Sequence, residues 1–237
     1  CINKIHIEVA PDAKAPAAPT VEVTAGEEGE LYTIVKVTTA TTSIDGSTLT
    51  DNLSKVEIYR NDELLETKTD VAPGNSVRTL EEMSAGGLYT YYAVAYNDMG
   101  IGEKSEKVTV YVGLDQPAAP KVFDITDNFG TLTFNWSESN VGINGGYVNP
   151  AKVRYDIWDI DVDYFVEFNE KVASVTGETT ATADFDTAEG DQRWQYFAIR
   201  AINEATAYDD EADWMANAIF AGKPYDSVTE GFANEET

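Results

Sequence analysis

The chain has 237 residues, 43% hydrophobic and 11% aromatic, enough for a packed core in one large domain or two ordinary ones. Its 42 acidic and 16 basic residues give a formal charge of -26, which repels nucleic-acid phosphates and anionic membrane surfaces and favours a monomer. One Cys and one His exclude an internal disulfide and leave too few ligands for a zinc cage or a His-based triad, and no apolar run approaches the ~18 residues of a membrane span.

In chain order, Ile5-His6-Ile7-Glu8-Val9 reads as a short strand with His6 turned away from the apolar side chains, toward solvent. Residues 1–15 are therefore an N-terminal extension or the last strand of a preceding module. Cys1 invites a lipid anchor, but such an anchor needs a polar tether, and Ile2 to Ile7 looks like strand instead. An ordinary internal Cys exposed by truncation is the leading reading, with lipidation as the alternative.

Pro16-Ala17-Ala18-Pro19 recurs as Pro117-Ala118-Ala119-Pro120, 101 positions later. Ala93-Val94-Ala95-Tyr96-Asn97 is echoed by Ile199-Arg200-Ala201-Ile202-Asn203, and Val110–Gly113 by Ile219–Gly222. A period near 100 residues is domain-sized, so these are tandem domains and not a solenoid. Alternating runs rich in Val, Ile, Tyr, Thr and Phe predict strands over Leu31–Thr38, Val56–Tyr59, Tyr89–Tyr96 and Val108–Val112 in the first repeat. In the second they lie over Thr131–Trp136, Val153–Trp158 and Trp194–Ile202. Thr79-Leu80-Glu81-Glu82 could cap one turn of helix. The pattern is all-β, an antiparallel sandwich in each repeat; a closed barrel would share it.

These residues resemble the fibronectin type III family. The first repeat carries Tyr89-x-Tyr91-x-Ala93-x-Ala95-x-Asn97-Asp98-Met99-Gly100, with Tyr89 at the tyrosine-corner position, where the family buries a ring and bonds its hydroxyl to backbone. The second carries Trp136 at the core Trp of the second strand, with Tyr155 and Ile157 facing inward on the third. Departures are Val35 or Val37 where a Trp is expected, Gln195 at the second corner, and the acidic run Glu204–Asp213 in place of a tight turn. The resemblance implies two tandem fibronectin type III sandwiches: module 1 over 16–114 and a divergent module 2 over 115–225. It also implies that residues 226–237 are a tail leading toward a missing domain. The wording of the linker and of Gly145–Pro150 is similar to modules of large surface or secreted proteins of Bacteroides-type bacteria, which implies an extracytoplasmic, cell-surface or secreted location.

Asp156, Asp159, Asp161 and Asp163, and likewise Asp209, Asp210, Glu211 and Asp213, could offer oxygens to Ca²⁺. Neither run has the spacing of a calcium loop, so both read first as solvated faces or charged strand edges. With 42 acidic residues, chance carboxylate pairs are inevitable and carry no argument for glycoside hydrolysis. No Arg-Gly-Asp and no Gly-rich phosphate loop occurs. Parity puts Tyr92, Val94 and Tyr96 outward beside Tyr59 in the first repeat, and Trp158, Trp194 and Tyr196 outward in the second, near Arg154, Asp156 and Arg200. These rings are expected to pack against other parts of the parent chain, or else to stack on a ligand.

The expected function is a non-catalytic structural or adhesion pair, spacing or presenting neighbouring domains across a stiff, proline-containing linker at Leu114–Pro120. One alternative is binding of a carbohydrate or host glycoprotein through the aromatic face of module 2. The other is an accessory segment of a hydrolase whose active site lies elsewhere. No enzyme activity and no cofactor are expected. The expected partners are neighbouring domains, then glycans or a host surface protein.

Overall fold

Both repeats alternate apolar and polar residues over short runs separated by Gly, Asn and Asp, and both fold into two antiparallel sheets. The computed structural model describes residues 11–128, 130–163, 165–185 and 187–224. The expectations for Cys1, His6 and the tail 226–237 lie outside the described residues.

The chain divides into two compact units. One runs up to Asp115 and includes Asn144–Tyr147; the other holds Gln116–Ile143 and continues from Val148. In the first unit, β1 (Thr20–Ala25), β2 (Tyr32–Thr38) and β5 (Ser76–Glu82) form one sheet. The other contains β4 (Glu63–Val71), β3 (Leu53–Arg60), β6 (Gly87–Asn97) and β7 (Gly100–Lys104), with β8 (Val108–Val112) also paired to β6. Asn61 and Asp62 join β3 to β4 with φ of 48° and 66°, the left-handed pair that a two-residue hairpin turn demands. The core between the sheets is built from Val35, Val37, Leu53, Val56, Ile58 and Tyr91. Val35 and Val37, either of which stands where a Trp is expected, are both buried.

Thr79–Glu82 forms no helix. It lies in β5, which pairs with β2 from Tyr32↔Glu82 to Thr38↔Ser76. Period-two alternation wins there: Thr79 and Glu81 are buried, while Leu80 and Glu82 face out.

In the second unit, β9 (Phe123–Asp127), β10 (Thr131–Trp136) and β13 (Thr180–Asp184) form one sheet. The other, in the order β12-β11-β14-β15, is made of β12 (Glu167–Thr176), β11 (Arg154–Asp161), β14 (Arg193–Ile202) and β15 (Trp214–Ala221). Phe123, Phe134, Trp136, Tyr155, Ile157 and Phe197 fill the space between them. Trp136 and Tyr155 have ring centroids 5.2 Å apart, and the Tyr155 hydroxyl accepts a 2.8 Å bond from Ser139 N. Both residues sit where the sequence motifs place them.

The corner is partly as expected. The Tyr89 hydroxyl donates to Ala85 O at 2.8 Å, four residues upstream. Its ring is half-buried and not enclosed, because it lies near the end of the sheet.

Candidate functional site

The outward faces of the two larger sheets hold the aromatic residues singled out by parity. On β3 and β6 of the first unit, Tyr59 and Tyr92 stack with centroids 4.8 Å apart. Glu57 lies on the same face and is buried; its Oε2 accepts from Tyr59 and Tyr96 hydroxyls, each at 2.7 Å, and its Oε1 from Lys55 at 2.6 Å. Burial pushes the Glu57 carboxyl up, but these three donors outweigh it and hold the group below its ordinary value. Tyr59 is pushed up to about 12, by burial first and then by its bond to Glu57. Lys104 and Lys107 cap the Tyr92 ring at 5.6 and 5.4 Å. This face is outward in parity, yet Tyr92 and Val94 are buried on it.

The second unit repeats the device with different chemistry. Arg154-x-Asp156-x-Trp158 on β11 occupies the positions of Lys55-x-Glu57-x-Tyr59 on β3. Asp156 is buried, not solvated as its acidic run suggested. It accepts from Ser174 Oγ at 2.6 Å and pairs with Lys171 Nζ at 3.0 Å and Arg154 Nε at 3.2 Å. Burial raises its pKa; Ser174, Lys171 and Arg154 together override that and keep it lowered. Asp159 sits opposite the core residue Phe197, on the other face of the strand, so Asp156 and Asp159 do not converge on a common point. Asp209 is ion-paired to Arg154, and Asp213 accepts from Ala119 N at 2.8 Å. The acidic loop thus ties down the start of its own module. Among the described residues no group of three or more His, Cys, Asp or Glu is placed to hold a metal ion.

Trp158, Trp194 and Tyr196 lie on one face of the β12-β11-β14-β15 sheet but not in one cluster. Trp158 is opposite Ala198, four residues along β14 from Trp194, or about 13 Å. Its ring packs at right angles to Phe168, with centroids 6.1 Å apart, and Phe168 packs the same way on Trp214 at 5.6 Å. The Arg200 guanidinium lies 3.7 Å from the Phe168 ring centre and 5.7 Å from that of Trp158. Lys171 covers Trp158 as well, at 5.5 Å. The stacking surface of Trp158 is therefore filled by the chain itself, through cation–π contacts. Arg200 is buried, and among the described residues its Nε has no hydrogen-bond partner. Burial, the first cause, lowers its pKa, against Asp210, Asp156 and Asp209.

The other end of this face is open. Trp194 is 61% exposed and meets Phe220 edge-on at 5.8 Å, and Tyr196 stands beside them, between Ile160 and Ala218. Phe168, Trp214 and Phe220 were not singled out from the sequence. Phe220 was within reach, since it is two residues short of the closing Gly222. Phe168 required the hairpin register, which carries irregularities between Ile157 and Ile160.

No family model and no curated protein matches the sequence. Among solved structures, the chain is similar to the FN1–FN3 domains of chicken CNTN1, with 14% identity, 91% of this chain and 68% of that one covered, and a TM-score of 0.36. It is also similar to the central Fibronectin-III array of RIM-binding protein, with 14% identity, 87% and 64% covered, and a TM-score of 0.36. The description of the fold as two antiparallel β-sandwiches rests on the chain's own strand pairing.

Proposed function

We propose that the chain is a non-catalytic pair of sandwich modules that holds neighbouring domains of a surface or secreted protein at a set spacing. The observation that supports this reading is that the residues on either side of the Asp115–Gln116 join are each bonded within their own unit. Asp115 N donates to Tyr147 O at 2.8 Å, and the Asp115 carboxylate accepts from Asn144 N, Asn144 Nδ2 and Gly146 N at 2.9–3.0 Å. The next residue, Gln116, already accepts from Ile143 N at 2.9 Å within the second unit, and Ala118 N donates to Val141 O at 3.0 Å.

The backbone part of this arrangement recurs at the head of the first module, where Ile44 N donates to Ala15 O and Ala17 N to Thr42 O, each at 3.0 Å, although the side chain at the Asp115 position is there a lysine. Lys14 stands 101 residues before Asp115 and pairs with Asp45 at 2.7 Å, in a turn whose Gly46 has φ of 82°; Gly145 has φ of 78° in the matching turn. A repeated device at the head of each module fits a part meant to be strung in arrays. Limited proteolysis tests the reading. The wild-type chain should resist cleavage across 114–118, and Asp115→Ala should open that segment. Equal cleavage of both proteins there would refute the proposal.

A further inference from the structure

The strand β5 forms one edge of the β1-β2-β5 sheet of module 1. It runs from Ser76 to Glu82 without Pro, Gly or a register shift against β2. Gly26 N donates to Tyr32 O, and Met83 N to Leu31 O. Tyr32 thus turns its backbone toward β1, and Leu31 turns its own toward β5. In an antiparallel ladder this direction alternates along the strand. Val77, Thr79 and Glu81 therefore bond to β2, while Arg78, Leu80 and Glu82 aim N–H and C=O at the free edge. Among the described residues none of these edge groups has a partner. The β15 edge differs. There Trp214 N donates to Asp213 Oδ1, Ala218 N to Asn217 Oδ1 and Gly222 N to Asp127 Oδ2, at 3.1, 2.8 and 3.0 Å, so side chains cap it. An uncapped, unbroken edge beside exposed apolar side chains is a template for another strand. Leu80 is 66% exposed, and Ile34, directly across on β2, is 37% exposed.

We propose that β5 pairs antiparallel with β5 of a second copy of this chain, about a two-fold axis at Leu80, joining the two β1-β2-β5 sheets into one. The outward row of β5 decides the occupant, because it is its own complement. Arg78 stands two residues before Leu80 and Glu82 two after it. The axis sets Arg78 against Glu82 of the second copy, and Glu82 against Arg78 of the second copy. Neither charge is matched within one copy. Arg78 lies opposite Lys36, whose ammonium is held by Glu22 at 3.1 Å, and Glu82 shares a shallow surface groove with Glu30. Among the described residues neither Arg78 nor Glu82 is ion-paired. Leu80 meets Leu80, and Ile34 of each copy continues the apolar row across the joint sheet. The backbone agrees with this register: Leu80 N–H donates to Leu80 C=O of the second copy and receives its N–H in return. An unrelated extended peptide would satisfy the backbone but not this pattern of charges. The net charge of -26 opposes approach at long range, and about 0.15 M salt cuts that range to about 8 Å. The contact is one strand wide, so the dimer is weak and reversible. It does not depend on the linker.

Sedimentation equilibrium of the full chain tests this, in a Cys1→Ser background that excludes a disulfide-linked dimer, up to about 1 mM protein in about 0.15 M NaCl. The chain with its native β5 should form a reversible dimer. Arg78→Glu and Glu82→Arg each set like charges in both facing pairs and should weaken it at least about tenfold. The double swap Arg78→Glu/Glu82→Arg restores opposite charges and should return the affinity to within about threefold of the starting value. Mixing the two single variants should give a heterodimer. Hydrogen exchange at Leu80 N–H should slow as protein concentration rises. Arg78 and Glu82 are exposed, and circular dichroism confirms that each variant is folded. A monomer at every concentration, a dimer indifferent to the single changes, or a double swap as weak as the singles would overturn the proposal.

Discussion

Removing the Asp156 carboxylate should destabilise module 2 without disturbing module 1. Asp156 is buried, accepts from Ser174 Oγ at 2.6 Å and Lys171 Nζ at 3.0 Å, and is ion-paired to Arg154 Nε at 3.2 Å. A hydrogen bond to a charged group contributes about 1.5–3 kcal/mol, and removing one partner of a buried pair costs about 3–5 kcal/mol. Lys171 and Arg154 are 39% and 37% exposed, so both regain water when the acid is lost, and Arg154 keeps Asp209. The expected loss for Asp156→Ala is therefore about 2–4 kcal/mol, below a simple sum. For a module of this size that lowers the unfolding midpoint by roughly 8–16 °C. All four tryptophans, Trp136, Trp158, Trp194 and Trp214, lie in module 2, so selective tryptophan excitation follows that module alone.

Asp156→Asn should retain the shape and lose about half as much. The pH dependence has a definite sign. The folded pKa is depressed, so the stabilisation is complete above the unfolded value of about 3.9 and disappears as pH falls through the folded value. The gap between wild type and Asp156→Asn should thus close below about pH 4. A module 2 midpoint within about 2 °C of wild type in Asp156→Ala would refute the assignment of this carboxylate as a buried anchor.

Tyr89→Phe should cost about 1 kcal/mol through loss of its bond to Ala85 O, lowering the module 1 transition by about 4–8 °C in tyrosine-detected melting and leaving the tryptophan signal unchanged. Gly146→Ala lies in the second repeat but should destabilise the first unit by about 1–3 kcal/mol, since an added Cβ would stand 2.3 Å from Tyr111 Cδ1; faster hydrogen exchange in β8 would show it. Spectrophotometric titration should find Tyr59 ionising near 12, and Glu57→Gln should bring it down toward its ordinary value of 10, because a charged acceptor is removed.

Much of this was legible in the sequence, and the reasons are physical. Thr131–Trp136 and Val108–Val112 coincide with β10 and β8, because their alternation is uninterrupted and turn residues bound them. The helical turn at Thr79 failed since a capping signal of four residues competes poorly with a full row of strand pairs to β2. Asp156 was misread for a different reason. A run of aspartates looks solvated in one dimension, and only the neighbouring strands supply Lys171 and Ser174. The signal that could have corrected it was the repeat itself, since Lys55-x-Glu57-x-Tyr59 and Arg154-x-Asp156-x-Trp158 place an ion pair and a ring at matching positions. Trp158 and Trp194 lie on one face by the strand register, as alternation expects. Their separate fates depend on Phe168, which reaches Trp158 through an irregular hairpin that parity cannot follow.

The proposed spacer role requires a stiff connection between the modules, and a distance distribution tests it most directly. Spin labels at Thr69→Cys on β4 and Glu178→Cys after β12, both exposed, in a Cys1→Ser background, report the separation by pulsed electron resonance. A single narrow distribution that broadens in Asp115→Ala is the predicted result. A broad distribution in the wild-type chain, unchanged by Asp115→Ala, would contradict the account.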